Sequence, residues 1–236
     1  MNVKLISYSQ GVWADCMGVN TPDNRNLMDQ IAYAARVSNP ANQNTTETNE
    51  KLIRYLIKNQ HWSPFEMVSA CLEINTTRDI ARQILRHRSF SFQEFSQRYA
   101  DASQLGFEKR EARLQDTKNR QNSIDITNAD VMTSDHAAEL VNTWNNKQDQ
   151  LLLMAQDTYQ WALDNGIAKE QARAVLPEGN TKSRMYMNGT LRSWVHYIQL
   201  RSANGTQKEH REVAEAAKLE LLNEFGFLGE YWKSIQ

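Results

Sequence analysis

The sequence predicts a single α+β domain over residues 1–236, mostly helical with a mixed β-sheet, and three observations lead there. Helical apolar spacing dominates the second half. It is clearest from about 133 to 165, where Ala137, Leu140, Val141, Trp144, Leu151, Leu152, Ala155 and Tyr159 recur at helical intervals. Two short stretches, residues 2–8 (NVKLISY) and 67–75 (MVSACLEIN), carry the apolar composition of strands. No internal repeat and no Pro/Gly/Ser-rich linker divides the chain, and 236 residues can share one buried core.

The elements follow in order. The strand at 2–8 runs into a glycine-containing turn. Leu27, Ile31 and Ala34 mark a helix that stops near Asn39-Pro40, because a residue before proline is pushed out of the helical region. The polar loop ANQNTTETN offers capping residues for a helix at about 47–59, with Leu52, Tyr55 and Leu56 on one side. His61-Trp62-Ser63-Pro64 breaks that helix. After the strand at 67–75, Thr76 and Asp79 have the spacing of a capping box for a helix reaching about Arg88. On it, Gln83, Arg86 and His87 share a face. Residues 101–130 are polar and weakly patterned. The long helix ends at Asn165-Gly166. A short helix (AKEQARAVL), a strand (RMYMN) and the helix TLRSWVHYIQLR follow. Thr206 and Glu209 suggest a second capping box, for a last long helix ending at Phe225-Gly226.

Composition narrows the function. Net charge is −1, whereas a dedicated nucleic-acid-binding domain is usually basic, so any anion site is local. The two cysteines, Cys16 and Cys71, cannot form a disulfide framework or a multi-cysteine metal site. The histidines include no i, i+4 pair, and no metal is expected. No run approaches the roughly 20 apolar residues of a membrane span. The start MNVKLISYSQ lacks a secretory pattern. The expectation is a cytoplasmic protein with no membrane or nucleic-acid partner.

Chemistry concentrates in RHRSFSFQEFSQRY, residues 86–99. Arg86, Arg88 and Arg98 supply forked donors for phosphates or carboxylates. Glu94 supplies an acceptor, Ser96 and Tyr99 supply hydroxyls, and Phe90, Phe92 and Phe95 can wall a site from water. A solvated basic helix end accounts for Arg78 and Arg82. It does not account for a lysine-free stretch in which arginines alternate with phenylalanines and serines. A single-stranded nucleic-acid platform would share the arginine–aromatic mixture, but no other basic tract supports it.

Arg86-His87-Arg88, followed after seven residues by Ser96, resembles the diagnostic motif of the flavin-dependent thymidylate synthases. Four further blocks resemble that family in order. They are Ala35-Arg36-Val37-Ser38, His61-Trp62-Ser63-Pro64-Phe65-Glu66, Arg173-Ala174-Val175-Leu176-Pro177, and Leu191-Arg192-Ser193 with Leu200-Arg201. The resemblance runs from about Ala35 to Glu209. It implies an α+β homotetramer with sites between subunits, converting dUMP to dTMP. The one-carbon unit would come from methylenetetrahydrofolate and the hydride from NADPH through bound FAD. It also implies that Gln83, Arg86, Glu94, Ser96, Arg98, Tyr99, Arg173 and Arg201 contact dUMP. Ser63, Arg86, His87, Arg88, Glu94, Arg192 and His196 would contact FAD, and Arg201 would polarise the uracil.

Residue chemistry agrees with this reading. A guanidinium facing the N3–O2–O4 edge stabilises a deprotonated uracil and makes C5 nucleophilic, without a cysteine attacking C6. Neither cysteine has a sequence neighbour that would activate it. The chain departs from the family pattern at Thr190 and His196, where asparagines are usual, and at Gly205, where a histidine is frequent. The segment between Pro177 and Arg192 is one residue longer. Two rivals share these residues: an enzyme modifying C5 of another pyrimidine nucleotide, and a non-catalytic nucleotide or single-stranded nucleic-acid binder.

In TLRSWVHYIQLR, Arg192 and His196 are i, i+4 neighbours. Arg201 lies nine residues beyond Arg192, about 180° around a helix of ~3.6 residues per turn. Either this helix presents two arginines to two pockets, or it ends before Arg201.

Overall fold

The computed structural model describes residues 2–11, 26–127 and 133–234. Its strands are β1 (Asn2–Tyr8), β2 (Ser69–Thr77), β3 (Ser91–Glu94), β4 (Arg113–Gln115), β5 (Ser123–Asp125) and β6 (Lys182–Thr190). Four of them form a sheet ordered β1-β2-β6-β3, in which every neighbouring pair is antiparallel. The expected mixed sheet is thus corrected. Antiparallel pairing suits a sheet with one face packed and the other partly open, and β2 has that alternation, burying Ala70, Leu72 and Ile74 between half-exposed neighbours. On β6, Met185, Met187 and Gly189 sit opposite these three in register. β4 and β5 form a separate ladder inside the 101–130 stretch that the sequence left unassigned.

The helices are α1 (Leu27–Ala35), α2 (Asn49–Lys58), α3 (Arg78–Ile84), α4 (Ser134–Asp164), α5 (Lys169–Ala172), α6 (Leu191–Arg201), α7 (Lys208–Glu224) and α8 (Gly229–Ser234). The packed sheet face shares one core with Trp194, Val195, Tyr197 and Ile198 of α6 and Val213, Ala214, Ala217 and Leu221 of α7. In α2 the buried face is Ile53, Leu56 and Ile57, while Tyr55 points outward, contrary to expectation.

Both expected capping boxes are absent, and their side chains are used elsewhere. Thr77, not Thr76, precedes α3. The first amides of α3 donate instead to backbone carbonyls of the 178–181 turn (Arg78 N to Thr181 O, 2.9 Å; Asp79 N to Glu178 O, 3.3 Å). Asp79 accepts from Thr77 and Arg110. Gln207 precedes α7, and Glu209 faces Gln207 and Arg110. A capping box does occur at Asn26, whose Oδ1 accepts from Met28 N and Asp29 N while its own backbone N–H donates to the Asp29 carboxylate.

The long helix α4 buries only Ala137, Gln148, Ala155, Tyr159 and Ala162. Leu140, Trp144 and Leu151, expected on its core stripe, are exposed. The apolar stripe read from the sequence is therefore wider than this chain alone covers.

Gly189 marks the tightest approach in the sheet. A Cβ there would lie 2.4 Å from Phe90 Cδ1, and that ring is already fixed against Trp194 at 4.8 Å. Gly189→Ala is expected to overpack this site and lower stability by about 1–3 kcal/mol. A lower urea midpoint with an unchanged m-value would check it.

Candidate active site

The charged segment 86–99 is held by structure on both sides. α3 ends at Ile84, earlier than expected, so Arg86, His87 and Arg88 lie in the turn after it. The chain then becomes β3, an edge strand on β6, and Phe95 N extends that pairing to Arg184 O at 2.8 Å. Phe90 and Phe92 do not wall a pocket. Phe90 is in the core, and Phe92 packs against it. These rings anchor the segment, and Ser193 Oγ ties it to α6 by donating to Ser89 O at 3.3 Å.

α6 continues through Arg201, which removes the shorter alternative. Thr190 caps its first turn, its Oγ1 accepting from Ser193 N at 3.2 Å. After α6 the chain turns through Gly205 at φ +94°, a conformation that favours glycine over the histidine of the family pattern. Nothing in the structure explains the extra residue between Pro177 and Arg192.

The two arginines of α6 serve different groups. Arg201 Nε donates to His87 Nε2 at 2.9 Å. Burial first, then the charges of Arg201 and Arg86, push the His87 pKa down to about 4. His87 is therefore neutral at pH 7 and its Nε2 can accept. Its ring sits edge-on to Tyr197 at 4.9 Å. This contact aims the Arg201 guanidinium while both terminal nitrogens carry no hydrogen-bond partner among the described residues. Gln83 lies beside this group, donating to Gln207 Oε1 at 2.7 Å.

Arg192 instead pairs with Glu66, which follows Ser63 in a short 3₁₀ turn (Ser63–Met67). His196, one helical turn on, meets Trp62 edge-on at 5.7 Å. Partial burial and the Arg192 charge lower its pKa. Ser63 and Met67 also line an open, mostly apolar cleft of about 730 Å3 with Gln30, Tyr33 and Val37 of the α1 region.

Glu94 ends β3 facing inward. Ser183 Oγ donates to it at 2.9 Å, and Arg82 and Arg78 lie 3.3 and 3.8 Å away. Arg78, read from sequence as part of a solvated helix end, is only 8% exposed at its side chain and also reaches Glu178 at 3.2 Å. Beyond Glu94, Ser96 Oγ accepts from Arg98 N at 3.4 Å. Arg98 and Arg173 converge on Glu170, the first through its carboxylate at 3.5 Å and the second through its carbonyl at 3.3 Å. Tyr99 stands 81% exposed beside them. Arg86 and Arg88 are exposed, with no ion-pair partner among the described residues.

Apart from Glu94 and the exposed Arg86 and Arg88, the expected site residues fall into three groups. Gln83, His87 and Arg201 form one, Ser96, Arg98, Tyr99 and Arg173 a second, and Ser63, Arg192 and His196 a third. Sequence reading missed Glu66, Trp62, Arg78, Glu178, Tyr197 and His210. Glu66 stood inside a quoted motif block, whereas Tyr197 and His210 meet only because α6 and α7 pack together.

Cys71 lies in β2, half-buried, and burial pushes its thiol pKa up. A raised pKa disfavours the thiolate that nucleophilic attack requires. Cys16 lies outside the described residues. Cys71→Ala is expected to keep turnover within about threefold, at a stability cost of roughly 1 kcal/mol. Steady-state assay of the flavin-loaded variant checks it.

The chain is similar to several known proteins. The family model for "Thymidylate synthase complementing protein" matches residues 22–225. A "Probable flavin-dependent thymidylate synthase" of Paramecium bursaria Chlorella virus 1 is 46% identical over 225 residues, covering 95% of each chain. A flavin-dependent thymidylate synthase of Synechocystis sp. is 49% identical over 195 residues, 83% of this chain and 84% of its own. Among solved structures, a UMP/dUMP methylase of Streptomyces cacaoi bound with 5-Br dUMP matches with a TM-score of 0.75 at 26% identity. That match covers 99% of this chain and 94% of the other. The chain belongs to the flavin-dependent thymidylate synthase family.

Proposed function

We propose that the protein methylates dUMP to dTMP, with methylenetetrahydrofolate as carbon donor and NADPH as hydride source through FAD. The observation that carries this reading is Arg201, aimed by neutral His87 with its terminal fork open. Facing the N3–O2–O4 edge of uracil, that fork stabilises negative charge on the ring as N3 loses its proton, and C5 gains nucleophilicity. Arg98, Arg173 and Ser96 hold the phosphate, whose oxygens match arginine forks and a hydroxyl. Gln83 and Tyr99 border the nucleotide.

The donor set fits a flavin dinucleotide. Arg86 and Arg88 are exposed guanidiniums without ion-pair partners, suited to a pyrophosphate. Ser63, Arg192 and His196 lie near the 63–67 turn, Arg192 tied to Glu66 and His196 edge-on to the buried Trp62 ring, and offer polar groups to the rest of the cofactor. When bound, FAD supplies the redox chemistry between NADPH and the one-carbon unit. Glu94, held by Ser183 and Arg82, is assigned to both ligands on this reading. Titrating FAD and then dUMP into the purified protein tests it. A flavin spectrum that dUMP perturbs supports the enzyme, and a protein that takes up neither overturns this reading.

A second reading, C5 methylation of a ribonucleotide, is favoured by one observation, the structural match to a UMP/dUMP methylase. Comparing dUMP with UMP as substrate separates the two.

We also infer a homotetramer with sites completed across subunits. Its support is the exposed apolar surface of α4, where Leu153 is 61% and Met154 69% exposed beside Leu151 and Trp161. The divergent arginines of α6 add to it. Arg192→Ala is expected to lose FAD and Arg201→Ala to lose methyl transfer, so mixing the two inactive proteins should restore activity once subunits exchange. Verified exchange without recovery would count against shared sites. The reading places the enzyme in the cytoplasm, in keeping with the free thiol of Cys71. Among the described residues, no helix is long and apolar enough to cross a membrane.

A further inference from the structure

We propose that His210 is a positioning residue that fixes the side-chain amide of Gln83, and with it the polarity that Gln83 presents to a pyrimidine base. The proposal rests on the dUMP reading above and adds a residue that the reading does not use.

His210 is fully buried at the start of α7, with 0% exposure. Its Nδ1 lies 3.2 Å from Gln83 Oε1 and its Nε2 3.2 Å from Tyr197 OH. Gln83 Nε2 lies 2.7 Å from Gln207 Oε1, and Gln207 Nε2 lies 2.9 Å from Glu209 Oε2. Four hydrogen bonds thus join Tyr197, His210, Gln83, Gln207 and Glu209 in one line.

The direction of that line follows from its end. An ionised carboxylate only accepts, and Glu209 is kept beside the Arg110 guanidinium at 3.6 Å. Gln207 must therefore turn its NH2 to Glu209 and its oxygen to Gln83. Gln83 must in turn direct its NH2 to Gln207 and its oxygen to His210. Only an N–H can face that oxygen, so His210 carries its proton on Nδ1. Nε2 is then an acceptor and accepts a hydrogen bond from the Tyr197 hydroxyl. The Gln83–Gln207 and Gln207–Glu209 bonds are exposed, whereas the two at His210 are shielded, and reversing either of those would set two donors or two acceptors against each other where unpaired polar groups are costly. Burial, together with the charges of Arg201 and His87, pushes the His210 pKa down to about 3, which leaves the ring the single proton the relay needs.

Gln83 is the member of the line that borders the nucleotide. An amide free to flip would meet uracil with either a donor or an acceptor. Held by His210 on one side and Gln207 on the other, it retains one N–H and one oxygen lone pair in fixed places. The nearby His87 ring, 6.1 Å from His210, sits over the same floor and aims Arg201. The base-recognising amide and the polarising guanidinium are thereby supported from one buried layer.

Two measurements decide the proposal. Nitrogen-15 NMR of the histidine-labelled, flavin-loaded protein at neutral pH should show His210 neutral and protonated on Nδ1. An Nε2–H tautomer or an imidazolium would overturn the relay. In steady-state assays His210→Leu should raise KM for dUMP roughly tenfold, about the loss of one hydrogen bond, with kcat and flavin occupancy little changed. His210→Asn, whose amide nitrogen takes the place of Nδ1, should recover most of the loss. Equal impairment of both variants, or a fall in kcat alone, would assign His210 a packing role and overturn the proposal. Failure of the unsubstituted protein to turn over dUMP would overturn the functional reading, and the tautomer would still decide the relay.

Discussion

Replacing Arg201 with alanine should lower methyl transfer by about 10²–10³-fold, the typical loss on removing a preorganised donor to developing charge, while FAD should stay bound. The expectation follows from the placement of the side chain. Its Nε is committed to His87, and its terminal nitrogens carry no hydrogen-bond partner among the described residues. Lysine at this position should rescue poorly, because a point charge on a flexible stem cannot take both a fixed His87 contact and a forked approach to the ring. Single-turnover measurement with the flavin already reduced isolates this effect from reduction by NADPH. If Arg201→Ala transfers the one-carbon unit at the unsubstituted rate, Arg201 has no part in activating uracil.

The second large effect is on nucleotide affinity. Arg98→Ala should weaken dUMP binding by roughly 10- to 150-fold, the equivalent of one charge-assisted hydrogen bond worth about 1.5–3 kcal/mol. The pair with Glu170 does not offset this. Both partners are exposed, and such pairs contribute about 0–1 kcal/mol. Arg98→Lys should recover part of the affinity, since charge is kept and the fork is lost. Flavin content should be unchanged, because Arg192, Arg86 and Arg88 are intact. Titration of dUMP against the flavin spectrum reads both quantities. Unaltered affinity in Arg98→Ala would remove this residue from the phosphate site.

What could be read from sequence divides along physical lines. Helices with strong periodicity were legible to within a residue or two, as α4 shows: about 133–165 was expected and Ser134–Asp164 is found. The 86–99 segment was legible as a site because arginines, serines and phenylalanines rarely share one stretch. Its internal structure was not legible. β3 is four residues of polar and aromatic side chains whose strand character comes from pairing with β6, some 90 residues away. Sheet direction was equally hidden, since β1, β2 and β6 find each other across long intervals. The burial of Arg78 was misread because its partners, Glu94 and Glu178, come from β3 and from the turn before β6. Capping boxes at Thr76 and Thr206 were plausible from spacing alone, yet longer-range partners claimed Asp79 and Glu209. The opposed arginines of α6 needed only helical geometry and the continuity of the helix to Arg201, and the structure supplies that continuity.

The most direct test of the account is turnover of dUMP by the FAD-loaded protein with methylenetetrahydrofolate and NADPH, with the product identified by mass. The same assay is run on a variant in which both cysteines, Cys16 and Cys71, are replaced. The account predicts dTMP, heavier than dUMP by one methylene unit, formed by both proteins and only when reductant is present. A folded, flavin-loaded protein that leaves dUMP unchanged, or a cysteine-free variant that binds both ligands yet forms no product, would contradict it.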